Sequence, residues 1–299
     1  MEAAIVINRD KADRVSVEEA LRAAGIAGDV ELVAGERIQE RVRFHVESGA
    51  SLVIVGGGDG SVGAAASALA GSDATLGILP LGTLNHFARD LGIPFDLDQA
   101  AALITKGGIR SVDVAEINDR TFINNSAIGL YPLMVVDRDS QQHRLGRSKR
   151  LAMLVASLRT LWRFHDHRLT LTSAEGRSVV DTPLLFVGNN DYSLALPGAG
   201  RREALDDGKL CVLVMRKKGA AGFLAATFRA LAGLTRCDDM VRMEGLTRLR
   251  VETSRRRLTV SVDGETVNMA PPLDYRIRPR ALRVHAPDGT RTRRGQPAK

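Results

Sequence analysis

Small, acidic and hydroxyl side chains follow an apolar strand at residues 57–61. The run GGDGS comes shortly after Leu52–Val55, whose composition predicts a buried strand. Residues without a Cβ let backbone N–H groups converge on an anion, and phosphate is the usual occupant of such a turn. A helix predicted to begin near Val62 adds its positive dipole end, with Ser61 as N-cap or as a hydroxyl donor to phosphate. The segment predicts a phosphate-binding turn.

Asp59 does not fit a turn that binds phosphate alone. A carboxylate beside a phosphate is repelled unless a cation or a proton lies between them. We therefore interpret Asp59 as a residue that is linked to Mg²⁺ or that handles a proton.

A second polar loop follows the next apolar run, Thr75–Leu79. It reads PLGTLNHFAR over Pro80–Arg89 and carries a turn, two small polar side chains and a cation on a predicted helix. Two strand-to-loop exits separated by one helix point to the same edge of a parallel sheet, where open α/β folds bind ligands. Each loop taken alone is about equally typical of a plain structural turn.

Strands and helices alternate through the first part of the chain. Strands at Ala3–Asn8 and Asp29–Ala34, with helices ending near Ala24 and Glu47, precede the two central strands, and repeated βα units imply a largely parallel sheet. From about Ser111 short strands separated by turn residues predict a mostly antiparallel second domain. Its predicted strands are Ser111–Ile117, Thr121–Asn124, Arg168–Ser173, Leu184–Val187, Leu210–Met215, Leu249–Thr253, Leu258–Val262 and Tyr275–Ile277. We expect an α/β domain at 1–115, a mostly β domain at 116–285 and a flexible basic tail at 286–299.

The composition is that of an ordinary soluble globular protein of 299 residues. The net charge of +7 is concentrated at 276–299, where eight basic residues accompany one acid, and scarce aromatic residues argue against a nucleic-acid partner. Cys211 and Cys237 lack the spacing of a metal or redox pair, which favours buried thiols in a reducing compartment. We find no signal peptide or membrane-spanning run and expect a cytoplasmic protein.

The two loops together resemble those of the bacterial diacylglycerol-kinase-like lipid kinases. Members carry Gly-Gly-Asp-Gly-Thr/Ser followed by Pro-x-Gly-Thr-x-Asn-x-Phe-Ala-Arg, and both patterns are present here. Sphingosine and ceramide kinases are relatives, and NAD kinases are more distant ones whose second loop looks different. The resemblance implies a Rossmann-like three-layer nucleotide-binding domain, a mostly antiparallel β-sandwich, ATP as phosphate donor and Mg²⁺.

The resemblance also assigns site residues. In the family, the Glu of an Asp-Gly-Glu segment accepts the proton of the lipid hydroxyl, which makes Glu265 the candidate base, although Asp-Gly here also suits a plain hairpin turn. An Asp before Gly in the second domain holds a structural Mg²⁺, which points to Asp207 with the carbonyls of Ala204 and Lys209. Asp59 is the other catalytic candidate. The nucleotide-binding candidates are Gly57, Gly58, Asp59, Gly60, Ser61, Gly82, Thr83 and Asn85.

The sequence leaves open both the lipid acceptor and whether the protein is a catalyst. Diacylglycerol, a ceramide or sphingoid base, and phosphatidylglycerol all suit the same chemistry, and nothing in the sequence distinguishes them. Gly63-Ala64 replace the family's Asn-Glu, and Arg9-Asp10 depart from its first loop, so a non-catalytic nucleotide or lipid sensor remains open. The glycines also match a dinucleotide fingerprint formally, but no acid follows about 20 positions later.

A lipid substrate implies contact with a membrane surface. Residues 146–164 form a predicted basic amphipathic helix that would suit an anionic surface, although a packed helix with extended arginines is the commoner meaning of such a pattern. The basic tail is the other candidate for peripheral membrane contact.

Overall fold

The computed structural model describes residues 1–129, 166–193, 201–202, 204–216 and 240–288. The chain divides into two compact units. The first consists of Met1–Val114, Arg201–Gly208 and the chain from Arg278 onward, and the second consists of Ala115–Gly200 and Lys209–Ile277. The predicted helix at 146–164, the tail beyond Asp288 and Cys237 lie outside the described residues.

The first unit alternates parallel strands with helices, as the sequence pattern predicted. Its buried strands are rich in Val, Ile and Leu because helices cover both faces of such a sheet. The strand order is β2-β1-β3-β4, and Arg283 and Val284 of the last strand pair parallel with β4. The elements are β1 Ala4–Asn8, α1 Arg14–Ala23, β2 Val30–Val33, a 3₁₀ turn Gly35–Arg37, α2 Ile38–Glu47, β3 Leu52–Gly57, α3 Asp59–Leu69, β4 Thr75–Pro80, α4 His86–Leu91 and α5 Leu97–Lys106.

The carboxyl ends of β3 and β4 lie side by side in the first unit. The strands pair parallel from Leu52 opposite Thr75 to Gly57 opposite Pro80. Both polar loops therefore leave the sheet at adjacent positions of one edge, which is the arrangement that the sequence predicted.

The second unit is antiparallel and has a two-layer core. One sheet has the order β12-β11-β10-β7-β14-β15, and the other layer contains β9, β8, β13 and the beginning of β16. Buried apolar residues of both layers form one cluster. The strands are β5 Gly108–Ile117, which continues from the first unit, β6 Arg120–Phe122, β7 Asn125–Gly129, β8 His167–Ser173, β9 Gly176–Thr182, β10 Leu184–Asn189, β11 Leu210–Met215, β12 Met240–Leu246, β13 Arg248–Glu252, β14 Leu258–Val262, β15 Glu265–Met269 and β16 Leu273–Ala286.

Tyr275 makes both an aromatic contact and a hydroxyl contact in the core of the second unit. The Tyr275 ring meets the Phe122 ring edge-on at 6.4 Å, and its hydroxyl lies 3.2 Å from the Ser126 hydroxyl. Complete burial raises the pKa of the Tyr275 phenol. Cys211 is buried, as predicted, and burial raises the pKa of its thiol.

Two predicted strands have different bounds in the structure. The strand expected at Thr121–Asn124 ends at Phe122 as β6, because the N–H groups of Ile123 and Asn124 donate to the carboxylate of Asp263 rather than to a neighbouring strand. The short strand expected at Tyr275–Ile277 extends over 14 residues as β16, because its two ends pair with different strands, β13 and β4.

Candidate functional site

The helix after the first glycine run begins earlier than predicted. Strand β3 includes Gly57, Gly58 is the N-cap, and α3 starts at Asp59. The expectation of a helix beginning near Val62 with Ser61 as N-cap was therefore wrong. Glycine at the cap lets the chain pass directly from strand to helix, and no side chain caps this end. The first-turn N–H groups thus remain directed at the loop edge, where a phosphate would accept them.

The two glycine loops touch each other through their backbones. A Cβ placed on Gly58 would lie 3.3 Å from the Cα of Gly82, and a Cβ on Gly82 would overlap the Cα of Gly58. The Cβ on Gly82 would also lie 2.6 Å from Oδ1 of Asn85. Glycine is required at Gly82 because any side chain there would separate the two loops.

Asn85 builds the second loop from within. Its backbone is left-handed, with φ of 48°, and it is 6% exposed. Its Oδ1 accepts the N–H of Gly82 at 3.0 Å, while Nδ2 donates to the carbonyls of Gly82 at 2.8 Å and Pro80 at 3.3 Å. The side-chain amide is therefore used to shape the loop. Neighbouring Thr83 is exposed, and its hydroxyl is free to reach a ligand.

Asp59 connects the two predicted motifs. Its Oδ1 accepts the backbone N–H of Phe87, at the beginning of α4, over 3.3 Å. The carboxylate is half-buried and lies in the first turn of α3, where the helix dipole stabilises a negative charge. The structure thus brings Asp59 to the second loop, and its role toward a cation or a proton stays a prediction.

Ser61, a predicted site residue, contacts Asn8, which was not among the predicted site residues. The Ser61 hydroxyl accepts a hydrogen bond from Nδ2 of Asn8 at 3.1 Å, and both residues are nearly buried. Asn8 ends β1, which pairs with β3, so the two polar residues lie at the same edge of the sheet. A polar residue at the carboxyl end of the first strand was the available sequence signal.

An ion pair that the sequence did not reveal holds helix α4. Arg202 donates to the carboxylate of Asp90 at 2.7 Å, and the two side chains are 0% and 8% exposed. The Arg202 guanidinium also lies 5.8 Å from the centre of the Phe87 ring. Helix α4 has only six residues, so this pair and Asp59 fix the two ends of an element too short to be stable alone.

The predicted metal turn is organised by a residue that was not predicted. Asp113 is fully buried, and its carboxylate accepts the N–H groups of Gly208 and Arg280, both at 2.7 Å. Its own N–H donates to the carbonyl of Leu205 at 2.7 Å. Asp207 itself is exposed within the turn that Asp113 anchors.

The other predicted ligands of this turn are carbonyl oxygens. In the second unit, the Lys209 carbonyl accepts the N–H of Asn190 at 3.0 Å, which leaves one lone pair for another partner. A carboxylate with two carbonyls is a donor set that suits Mg²⁺. Across the described ranges, no three His, Cys, Asp or Glu side chains gather as a metal cluster.

The second unit places Glu265 directly after a tight turn. Asp263 and Gly264 both have positive φ, which is typical of a hairpin turn joining β14 and β15. The Asp263 carboxylate accepts three backbone N–H groups, from Ile123, Asn124 and Asn125, at 2.8–3.1 Å. The turn is therefore fixed in place as well as tight.

The Glu265 carboxylate is held by a surface ion pair. Its Oε2 accepts a hydrogen bond from Nη2 of Arg120 at 2.5 Å, and the Glu265 and Arg120 side chains are 62% and 42% exposed. Exposed pairs of this kind contribute little free energy, so the carboxylate can exchange Arg120 for another donor. The geometry is compatible with both of its predicted roles, a proton acceptor and a solvated neighbour of the turn.

Family models match both halves of the chain. Residues 7–117 match the diacylglycerol kinase catalytic domain, and residues 134–286 match the YegS C-terminal NAD kinase beta sandwich-like domain. A probable lipid kinase YegS-like of Pseudomonas fluorescens is 32% identical over 90% of this chain and 89% of its own. A diacylglycerol kinase of Bacillus subtilis is 27% identical over 87% and 84%.

A solved structure has the same fold. A diacylglycerol kinase from Bacillus anthracis superposes with a TM-score of 0.69 over 96% of this chain and 97% of its own. The two sequences are 21% identical, so this likeness concerns the fold alone.

Proposed function

This chain belongs to the diacylglycerol-kinase-like lipid kinase family, and from that membership we propose that it transfers the γ-phosphate of ATP to a hydroxyl of a diacylglycerol-like lipid. Kinase chemistry is common to the family, whereas the lipid acceptor and the need for Mg²⁺ are proposals. The observation that carries the proposal is the paired edge in the first unit, where Gly58 meets Gly82 and the first turn of α3 is left uncapped.

The first unit would hold the phosphates of ATP. N–H groups at the start of α3 bind phosphate oxygens, and the Thr83 hydroxyl adds a further donor. The internal hydrogen bonds of Asn85 keep this loop in shape before nucleotide arrives, so little free energy is spent on ordering it. Asp59 carries the negative charge that a cation beside these phosphates requires.

Glu265 would act as the general base. Its carboxylate takes the proton of the acceptor hydroxyl while the hydroxyl oxygen bonds to the γ-phosphorus of ATP. The bond between that phosphorus and the bridging oxygen of the β-phosphate breaks, and ADP leaves. Arg120, which pairs with Glu265 in the structure, would orient the carboxylate until substrate binds.

Mg²⁺ is proposed at the turn that contains Asp207, with the carbonyls of Ala204 and Lys209. A cation there would supply charge to fix the turn that Asp113 already anchors. We expect added Mg²⁺ to raise the Tm of the wild-type protein and to leave that of Asp207→Asn nearly unchanged. An equal rise in both proteins would place the cation elsewhere.

The direct test is transfer of label from ATP into micellar lipids in the presence of Mg²⁺. The panel contains diacylglycerol, ceramide, sphingosine and phosphatidylglycerol, so the labelled product names the acceptor. Asp59→Asn should retain the fold, because an amide oxygen can still accept the Phe87 N–H, and should lose at least about 100-fold in activity, or about 2.7 kcal/mol. Asp73→Asn, an exposed aspartate in the loop after α3, is the matched control.

Two results would contradict the proposal in different ways. Near-normal activity of Asp59→Asn would remove the role given to that carboxylate. A protein that binds ATP but labels no lipid would favour a nucleotide-binding sensor or an acceptor of another class.

A further inference from the structure

A cluster of arginines without partners lies at one end of the second unit. The loop Thr253–Arg257 joins β13 to β14 and contains Arg255, Arg256 and Arg257, all exposed. None of the three makes an ion pair or hydrogen bond within the described parts of the chain. We call these three residues, together with Arg168, the arginine loop surface.

Arg168 is tied to this loop through the backbone. It is the second residue of β8, and its carbonyl accepts the hydroxyl of Thr253 at 3.0 Å. Its exposed guanidinium likewise makes no ion pair within the described parts of the chain. The hydrogen bond fixes the start of the loop beside Arg168, so four positive charges share one end of the unit.

The acids around this surface do not neutralise it. Glu252, at the end of β13, is already engaged by Arg177 at 3.6 Å and Arg250 at 3.8 Å. Asp181 is opposite Arg168 in the strand register, and Asp166 precedes β8. Four free guanidiniums against these two carboxylates leave a net positive end.

The chemistry of the surface selects a partner rich in phosphate. Guanidiniums bind phosphodiesters through paired N–H donors. The loop has no aromatic side chain on which a nucleobase could stack, which disfavours a single-stranded nucleic acid. Phospholipid headgroups present the same anion in a plane, and a kinase acting on a lipid has to reach that plane.

We propose that the arginine loop surface docks the protein electrostatically on anionic phospholipid bilayers. This proposal rests on the proposed function, since it concerns how the enzyme reaches its lipid. The helices described in the structure include none long and apolar enough to cross a bilayer, so a surface contact is a means of attachment that these residues can provide. Each basic residue near an anionic leaflet strengthens binding about fivefold, so three arginines provide about a hundredfold.

The arginine loop surface and the proposed base Glu265 lie at opposite ends of β14. The loop precedes β14, whereas the Asp263 turn and Glu265 follow the other end of that strand. Five strand residues at about 3.3 Å each place roughly 15 Å between the two ends. Replacement of the arginines should therefore leave the proposed base unchanged.

The test measures binding of the full chain to vesicles that are then sedimented. Neutral vesicles contain phosphatidylcholine alone, and anionic vesicles contain about 30% phosphatidylglycerol in addition. The test variant is Arg255→Gln/Arg256→Gln/Arg257→Gln. The control is Arg22→Gln/Arg43→Gln/Lys106→Gln, which removes the same charge from exposed positions of the first unit. We expect wild type and control to bind anionic vesicles in a salt-sensitive manner and the test variant to bind at least tenfold more weakly.

Several outcomes would overturn the docking proposal. The first is equal binding of the wild type to neutral and anionic vesicles. The second is an equal loss of vesicle binding in the test and control variants. The third is undiminished vesicle binding by the test variant together with complete loss of binding by a chain that ends at Asp288. Binding of a single-stranded RNA as tightly as anionic vesicles, lost in the same test variant, would assign the surface to nucleic acid.

Activity on a short-chain lipid in solution separates this proposal from the proposed function. We expect the test variant to phosphorylate the dissolved acceptor at the wild-type rate. A wild-type protein that docks through the arginines but phosphorylates no acceptor would refute the kinase assignment and leave docking intact. If the test variant phosphorylates lipid in anionic vesicles as fast as the wild type does, the docking proposal is refuted and the kinase assignment stands.

Discussion

Replacement of Arg202 by Met should destabilise the protein far more than loss of an ordinary surface charge. The substitution leaves the Asp90 carboxylate, 8% exposed, without its cation. Removing one partner of a buried ion pair costs about 3–5 kcal/mol. Loss of the cation above the Phe87 ring adds about 0.5–1 kcal/mol. We expect about 4 kcal/mol in total, which is a large part of the roughly 5–15 kcal/mol that stabilises most folded proteins.

Urea unfolding followed by circular dichroism measures this cost. Arg14→Met is the matched control, because Arg14 pairs with Glu18 at 2.6 Å on an exposed helix face, where a pair contributes at most about 1 kcal/mol. The double variant Arg202→Met/Asp90→Leu should recover to within about 1–2 kcal/mol of wild type, because no buried charge is left unpaired.

Binding of ADP is a second measurement of the role of the Arg202–Asp90 pair at helix α4. If the ion pair fixes the helix behind the second loop, Arg202→Met should also weaken binding of ADP under conditions where the variant is still folded. A cost below about 1 kcal/mol, comparable to that of Arg14→Met, would refute the interpretation of Arg202 as a buried clamp. Additive effects of Arg202→Met and Asp90→Leu would do the same, because coupled residues do not add.

Three further perturbations test other parts of the structure. Gly82→Ala should weaken ADP binding more than Gly58→Ala, because a Cβ on Gly82 would overlap the opposite loop, whereas a Cβ on Gly58 would lie 3.3 Å from it. Equal affinities, measured by calorimetry, would contradict this. Asp263→Asn should cost about 1–3 kcal/mol by urea unfolding, because an amide N–H₂ would face a backbone donor, whereas exposed Asp119→Asn should cost almost nothing. Burial lowers the pKa of His285 below its ordinary 6.5, so the unfolded chain takes up a proton before the folded one does as the pH falls. The free energy of unfolding should therefore decrease below pH 6.5, by at most about 1.4 kcal/mol per pH unit, and His285→Phe should flatten this dependence in urea titrations.

Local pattern was sufficient to predict the elements that carry the glycine loops. Apolar runs followed by polar loops located β3 and β4, and their parallel pairing brought the two loops to one edge of the sheet, as expected. The contact between Gly58 and Gly82 was not predicted. The exact start of α3 was missed because a glycine cap leaves no side-chain signal, unlike Asp13 at the start of α1, whose carboxylate accepts the Ser16 N–H.

Contacts between distant parts of the sequence were beyond such reasoning. Asp113, Arg202 and Asp263 each act on groups between 95 and 167 positions away. A buried aspartate that anchors backbone N–H groups has the same sequence appearance as an exposed one, so only the fold reveals it. The extent of β16 was hidden for a related reason: Arg278, Pro279 and Arg280 interrupt its apolar alternation, while pairing at both ends maintains the strand.

The return of β16 to the first unit bears on how the protein is made. The ribosome synthesises the chain from its N-terminus, but the residues that pair with β4 come after the whole of the second unit in the sequence. Arg280 donates its N–H to Asp113, and Ala281 accepts the N–H of Gly71, so several contacts of the first unit also wait for this segment. The first unit therefore reaches its complete form only after the strands of the second unit have been synthesised, and a fragment truncated after Val114 would leave the β4 edge exposed to aggregation.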